Sequence, residues 1–121
     1  MKNLLVFQLL VGSLLAVAVS AMGQGNESVE RSQTARSLNG TVVDPIKEPV
    51  KDVRIEECSA GFVDCEAVAR SDSRGGVRVK SKRAGKVHYL QFTSPGFNVE
   101  RETVRLSPFA KSLVVSLVVG T

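Results

Sequence analysis

Short stretches in which valine alternates with polar residues are the feature that most restricts the fold of this chain. After residue 21 the sequence has 16 valines against 5 leucines. Valine is branched at Cβ, which favours a pleated strand over a helix, and strict alternation buries one face of a sheet. Turn residues separate these stretches about every 8 to 12 residues, as they do in antiparallel sandwiches. The sequence therefore predicts an all-β fold, an antiparallel Greek-key β-sandwich of about seven strands.

The predicted strands follow one another between these turns. In chain order they cover residues 38–44, 52–58, 66–71, 77–79, 87–92, 97–106 (one strand or two short ones) and 113–119. In the second strand Val53 and Ile55 share one face while charged residues share the other, so one side of the sheet is expected to be buried. The last strand is apolar on both faces, which is typical of a central strand.

Residues 1–21 form a candidate signal peptide. Lys2 precedes a long apolar run, which ends in small residues at Ala21. This order is typical of a secretory signal cleaved after Ala21, with an uncleaved N-terminal anchor as the alternative. Residues 22–37 are polar and almost free of large apolar side chains, which predicts a disordered linker. The folded domain is expected to cover residues 38–121, in a secreted or periplasmic compartment.

The exported chain is short and poor in the residue types that most enzyme mechanisms need. Roughly 100 residues after export allow a single small domain. Lys2 is the only charged residue of the leader, so the rest carries 15 Lys and Arg against 12 Asp and Glu. This modest excess does not require nucleic acid as a partner. With one histidine and two cysteines, we expect a non-catalytic protein without a metal or cofactor.

The single histidine, His88, lies within the strongest β-forming run. By alternation it shares a face with Leu90 and Phe92. A catalytic triad would require a nucleophile and a carboxylate beside this imidazole. We expect instead a strand histidine that either faces solvent or is satisfied by a hydrogen bond.

Cys58 and Cys65 lie at the two ends of a predicted turn. In an exported chain two nearby thiols tend to pair, so we expect a structural disulfide across the hairpin. Free thiols remain an alternative, while the spacing does not match a Cys-x-x-Cys redox site and two further zinc ligands are missing. Acidic residues cluster near this hairpin and are expected to balance the basic residues that follow. They are Glu56, Glu57, Asp64 and Glu66.

A run of cations without an intervening acid follows the hairpin. Its members are Arg74, Arg78, Lys80, Lys82, Arg83 and Lys86. Because alternate cations of this run fall on a predicted strand, they are expected to project from one face. Such a face could bind an anionic polysaccharide, a lipid headgroup or an acidic protein. The alternative is a solvated face, or an edge strand whose charges prevent pairing with another chain.

Turn motifs punctuate the predicted domain in a fixed order. They are Gly40-Thr41-Val42-Val43-Asp44, Pro49-Val50, Asp72-Ser73-Arg74-Gly75 and Pro95-Gly96-Phe97, followed by a closing strand with Leu113 and Leu117. Gly40 inside a strand suggests a close backbone approach, and Gly96 after Pro95 fits a type II turn. The order resembles the carboxypeptidase regulatory-like domain, a family of transthyretin-like (prealbumin-like) β-sandwiches, over residues 38–119.

The resemblance implies a carbohydrate-binding-like fold. Family members occur as accessory modules of metallocarboxypeptidases, as extensions of outer-membrane transporters and as stand-alone secreted proteins, and we expect the stand-alone form here. The expected function is recognition of a polysaccharide or protein at the cell envelope by a monomer, with a membrane partner only if the leader is retained. The alternative is a structural envelope component, held by an uncleaved leader or assembled through edge strands.

Overall fold

The computed structural model describes residues 27–120, which form a β-sandwich. The candidate signal peptide lies outside the described residues. The eight strands are β1 (Ser28–Ala35), β2 (Gly40–Val43), β3 (Arg54–Ser59), β4 (Val63–Arg70), β5 (Gly76–Val77), β6 (Val87–Thr93), β7 (Val99–Leu106) and β8 (Leu113–Ser116). Between residues 27 and 120 there is no helix long and apolar enough to cross a membrane.

The strands form two sheets, one with the order β1-β7-β6-β3-β4 and one with the order β5-β2-β8. The predicted all-β sandwich is confirmed, but its details differ from the expectation. Residues 27–120 contain eight strands, and the pairings of β1 with β7 and of β2 with β8 are parallel rather than antiparallel. The apolar strand β8 is not central either. It lies at one edge of the smaller sheet, where Val114 is 48% exposed.

The prediction of a disordered linker over residues 22–37 is wrong for the part that the structure describes. Strand β1 pairs with β7 along its whole length, from Ser28 opposite Val99 to Ala35 opposite Leu106. An edge strand needs only one neighbour, and its backbone hydrogen bonds do not depend on apolar side chains. Most β1 side chains are exposed, so the strand carries little of the apolar alternation from which strands are predicted.

The hydrophobic core lies between the two sheets, and the predicted inward faces supply it. Val53 and Ile55 are fully buried while Arg54 is exposed, as the alternation indicated. The largest apolar side chains with essentially no solvent contact come from both sheets. They are Phe92, Ile55, Leu90, Leu113 and Leu117. A core of this size is small, so the turns that fix the strand ends contribute noticeably to stability.

Two aspartates organise the predicted turns through the same pattern of hydrogen bonds. Asp44 Oδ1 accepts from the backbone N–H groups of Ile46 and Glu48, both at 2.9 Å. Asp72 Oδ1 accepts from the N–H groups of Arg74 (2.9 Å) and Gly76 (2.8 Å), and these bonds lower the pKa of Asp72 below its ordinary value. The first turn is closed further by a bridge between Val43 and Pro49. The motif aspartates therefore fix turns and are not free ligands.

Three motif glycines meet different local constraints. A Cβ on Gly40 would overlap the backbone carbonyl of Leu113, which explains the close approach predicted there. Gly75 has a φ of 76°, and a Cβ there would lie 2.6 Å from the carbonyl oxygen of Val42. Gly96 has a φ of 87°, as the position after Pro95 in a type II turn requires, but no atom would lie within 4 Å of an added Cβ.

Substitution of Gly75 by alanine is expected to destabilise the fold more than the same substitution at Gly96. Both variants incur about 1–2 kcal/mol for a left-handed backbone conformation, but only G75A also pushes a methyl group into the backbone of β2. Urea unfolding of the two variants measures the difference directly. Equal midpoints for G75A and G96A would show that the contact with Val42 adds nothing.

Candidate anion-binding site

The five cations at residues 78–86, here called the basic segment, follow β5 without continuing it. Strand pairing stops at Val77, because Gly40 opposite it is the first residue of β2. The prediction that these cations lie on a strand is therefore wrong, because residues 78–86 belong to no strand. The alternation of exposure is nevertheless present, since Val79 is buried between neighbouring exposed cations. All five cations are exposed, namely Arg78, Lys80, Lys82, Arg83 and Lys86.

No member of the basic segment forms an ion pair with any residue between 27 and 120. Arg83 uses one guanidinium N–H, which donates to the backbone carbonyl of Asp64 at 3.3 Å. A guanidinium has five N–H donors and an ammonium has three, so most of the donors on this segment face solvent without a protein partner. The segment therefore offers positive charge without an ion pair among residues 27–120, although, after the backbone hydrogen bonds to Asp72, nearby Arg78 also helps to lower the pKa of that carboxyl.

The outward face of the larger sheet is different, because its charged side chains satisfy one another. Gln91 donates to Glu56 and accepts from Arg101, both at 2.9 Å. Glu56 also pairs with Arg54 at 3.3 Å, and Arg101 pairs with Glu30 at 3.7 Å. This ladder runs across four strands, from β3 to β1. A ligand would have to break these contacts, so the ladder is a weaker candidate site than the basic segment.

A buried cluster of Glu57, Ser81 and His88 holds the basic segment against the larger sheet. His88 Nδ1 lies 2.7 Å from Glu57 Oε2, and the hydroxyl of Ser81 donates to the same carboxylate at 2.7 Å from Oε1. Ser81 Oγ in turn accepts from the backbone N–H of Arg83 at 3.0 Å. His88 Nε2 donates to the carbonyl of Gly85 at 3.0 Å. The cluster thus fixes the segment at residues 81, 83 and 85.

The order of hydrogen bonds in this cluster is not that of a catalytic triad. A triad places the carboxylate on one ring nitrogen and the nucleophilic hydroxyl on the other. Here Ser81 and Glu57 both lie at Nδ1, while Nε2 is occupied by a backbone carbonyl. A carbonyl can only accept, so Nε2 carries a proton and cannot act as a base. The cluster positions a loop, and His88 is satisfied by hydrogen bonds rather than facing solvent.

The placement of Glu57 corrects one expectation about charge. It was grouped with the acidic residues that balance the cations, but it is only 1% exposed and is bonded to His88 and Ser81. The alternation that buries Val53 and Ile55 continues to residue 57, so the strand pattern carried the signal for this burial. A carboxylate at an inward position requires a partner, and His88 supplies it from the neighbouring strand β6.

The predicted pairing of Cys58 with Cys65 is confirmed, and the bond joins β3 to β4. The register between these strands shifts around Cys58, between Glu57 and Ser59. The disulfide therefore fixes the hairpin at an irregular point of the ladder. On the neighbouring turn Phe62 packs edge-on against Tyr89 of β6, with ring centroids 5.6 Å apart.

Two surface cavities adjoin the basic segment. A cavity of about 430 Å³ lies next to Arg78 and is also lined by Asn39, Asp72 and Ser112. A smaller and more enclosed cavity of about 210 Å³ lies between the disulfide hairpin and the other end of the segment. Its lining includes Arg83, Ala84, Val87, Tyr89, Ala60 and Cys58. Sequence patterns gave no indication of either cavity, because each combines residues that are distant along the chain.

A second buried polar group, which no sequence pattern predicts, lies on β7. Glu100 is 0% exposed, and neither of its carboxyl oxygens has a hydrogen-bonding partner. Glu102 is also buried and accepts from Gln33 of β1 at 2.9 Å. Burial, followed by interaction with the neighbouring carboxyl of Glu102, raises the pKa of Glu100 to about 8, although Arg31 at 3.6 Å opposes the shift. Within residues 27–120 no three His, Cys, Asp or Glu side chains are grouped as metal ligands.

The comparisons with known proteins do not assign this chain to a family. No family model matches the sequence. No curated protein matches it either. The resemblance to the carboxypeptidase regulatory-like domain therefore stays a prediction, based on the order of its turn motifs and on the β-sandwich that contains them.

Proposed function

We propose that this protein is an extracytoplasmic, non-catalytic binding module that recognises an anionic polysaccharide through its basic segment. The observation that carries the proposal is five exposed cations without an acidic partner among residues 27–120, on a segment that the Glu57–Ser81–His88 cluster holds in place. We further propose that the protein belongs to the carboxypeptidase regulatory-like family.

Holding the segment in place matters because binding has an entropic cost. A loop that becomes ordered only on binding loses conformational entropy, and this loss weakens binding for each side chain that is immobilised. A pre-ordered backbone avoids much of that cost. Ser81 and Val79 face inward while the cations between and around them face solvent. A polymer with regularly spaced negative charges can therefore contact several cations at once. Affinity should fall with added salt, since the contacts are exposed.

The disulfide and the leader support the extracytoplasmic location. Disulfides persist in oxidising compartments and are rare in the cytosol, so a bonded Cys58–Cys65 pair favours export. The candidate signal peptide over residues 1–21 points the same way.

A structural role through edge-strand assembly is the second candidate, and the open edges of the larger sheet are what favour it. That sheet ends in β1 on one side and β4 on the other. Both edge strands carry exposed charges, including Glu30 and Arg31 on β1 and Glu66 and Arg70 on β4. Charged edges disfavour pairing with another chain, so the monomeric binding module fits the structure better.

Charge reversal in the basic segment tests the proposal. The double variant K80E/K82E is expected to bind polygalacturonate about tenfold or more weakly than the wild type, because exposed charge contacts contribute up to about 1 kcal/mol each. Isothermal titration at low salt measures the affinity, with uncharged dextran as the neutral probe. The matched control K51E/K111E changes the net charge equally at exposed lysines outside the segment.

Equal weakening by both double variants would show that only net charge matters and would refute a site on the basic segment. Absence of wild-type binding to polygalacturonate at low salt would refute the polysaccharide proposal. Concentration-dependent oligomers in light scattering, combined with no polysaccharide binding, would support the structural role instead.

A further inference from the structure

The smaller cavity at the end of the basic segment has the chemistry of a ligand pocket. Arg83 and Ala84 come from the segment, Val87 and Tyr89 from β6, and Ala60 from the turn of the disulfide hairpin. The cavity therefore lies where three separate parts of the chain meet. Its surroundings are held by two independent constraints, the Cys58–Cys65 bond on the hairpin side and the Ser81–Glu57–His88 cluster on the segment side.

The lining combines one strong cation with the aromatic ring of Tyr89, the imidazole residue His88, Ser59 and small apolar side chains. Apart from the single bond to Asp64, the side-chain N–H donors of Arg83 have no partner among residues 27–120. A guanidinium matches the planar geometry of a carboxylate and can bind it through two parallel hydrogen bonds. Tyr89 is partly exposed and is supported from the side by Phe62, so its ring is fixed in position. Such a ring offers an apolar surface beside a polar hydroxyl.

The size of the cavity restricts what it can hold. At about 210 Å³ it is smaller than the roughly 300–1,000 Å³ of pockets for drug-sized ligands, so it admits one ring-sized unit. The larger cavity is less suitable for an anion, because the carboxylate of Asp72 lines it beside Arg78 and no aromatic ring is present. The two cavities thus differ in charge as well as in volume.

We propose that the cavity between the disulfide hairpin and the basic segment binds a single carboxylate-bearing sugar ring, with Arg83 on the carboxylate and Tyr89 against the ring. This inference rests on the proposed function and adds a specificity to it. The basic segment binds the charge of a polymer, whereas the cavity selects a uronic acid unit of that polymer. A free monosaccharide acid is therefore a ligand in its own right.

Titration of the purified protein with galacturonate, followed by amide NMR shifts, tests this inference. We expect saturable shifts at Ala84, Val87 and Tyr89, with none from glucose or acetate, which lack the carboxylate or the ring. The variant R83Q should lose at least about fivefold in affinity for galacturonate, as expected when a charged hydrogen bond of about 1 kcal/mol or more is removed. The control K51Q removes one positive charge from an exposed lysine outside both the basic segment and the cavity lining, and should leave that affinity unchanged.

Each outcome separates the inference from the function on which it rests. Polygalacturonate binding without galacturonate binding would overturn the inference and leave the proposed function standing. Equal losses in R83Q and K51Q would overturn it too, since they would indicate unspecific charge attraction. If the protein binds neither galacturonate nor polygalacturonate, both the inference about the cavity and the proposed function are refuted. A Y89L variant that stays folded by circular dichroism should also lose galacturonate affinity, and unchanged affinity would remove the ring from the site.

Discussion

Replacement of His88 by leucine is expected to lower the free energy of unfolding by about 3–5 kcal/mol, because it leaves the buried carboxylate of Glu57 without its imidazole partner. Glu57 is 1% exposed and lies 2.7 Å from the imidazole. Ser81 would still donate one hydrogen bond to it, but the 2.7 Å contact with the imidazole on the other carboxyl oxygen would be lost. For a domain with so small a core this loss is a large share of the total stability.

A second variant separates the charge from the packing. In E57L/H88L both members of the pair are apolar, and replacing a whole buried ion pair by apolar groups is often neutral or even stabilising. We therefore expect the double variant to regain most of the stability that H88L loses, as measured by urea unfolding. Its basic segment should still become more mobile, because Ser81 and Gly85 lose their partners. A double variant as unstable as H88L would show that the cost comes from packing and not from an unpaired charge.

This pair of variants also tests how stability and the proposed function are connected. The cluster lies between the sheet and the segment, so the same contacts that satisfy Glu57 position the cations. If pre-ordering contributes to affinity, E57L/H88L should bind polygalacturonate more weakly than the wild type although the five cations are intact. The fold and the candidate site therefore share one set of hydrogen bonds.

Local alternation was sufficient to predict the strands whose inward faces form the core. Val53 and Ile55 are buried as predicted, and His88 lies with Leu90 and Phe92 on the inward face of β6. The same rule places Glu57 inward, whereas its charge alone groups it with the acidic residues that are expected to balance the cations. A buried carboxylate is rare unless it is paired, and the partner His88 lies 31 residues away in sequence. Local patterns do not report such a pairing.

Strand β1 and the cavity beside Arg83 show two further limits of reading a sequence. The β1 side chains are mostly exposed, and the strand is held by backbone pairing with β7, some 70 residues later. Backbone hydrogen bonds of this kind have no compositional signature. The cavity depends on the relative positions of a turn, a loop and a strand. The cations themselves were predictable, but not the groups that fix them or the ring that lies next to them.

Raising the pH is expected to destabilise this fold through Glu100, on the inner face of β7. Burial and Glu102 raise the pKa of this carboxyl from an ordinary value of 4.5 to about 8. Between these two values the folded protein holds a proton that the unfolded chain has released, so stability falls as pH rises. The contribution is fully present below about pH 4.5 and is lost as pH passes 8. Over that window the loss is on the order of a few kcal/mol, at up to about 1.4 kcal/mol per pH unit.

The variant E100Q isolates this effect from other groups that titrate in the same range. Glutamine has nearly the same shape as the protonated carboxyl and stays neutral at every pH. Unfolding free energies measured from pH 5 to pH 9 should therefore decline less steeply in E100Q than in the wild type. E48Q, which removes an exposed carboxylate, should follow the wild-type curve. The charged and polar side chains of β1 nearest this pair are Arg31 and Gln33.

Because β1 packs directly against Glu100, ionisation should loosen that strand before the rest of the sheet. Hydrogen exchange at high pH would then show the β1 amides losing protection first in the wild type, while E100Q keeps them protected. Parallel pH curves for E100Q and the wild type would contradict the assignment. They would mean that Arg31 at 3.6 Å compensates the negative charge and that Glu100 is ionised in the folded protein at neutral pH.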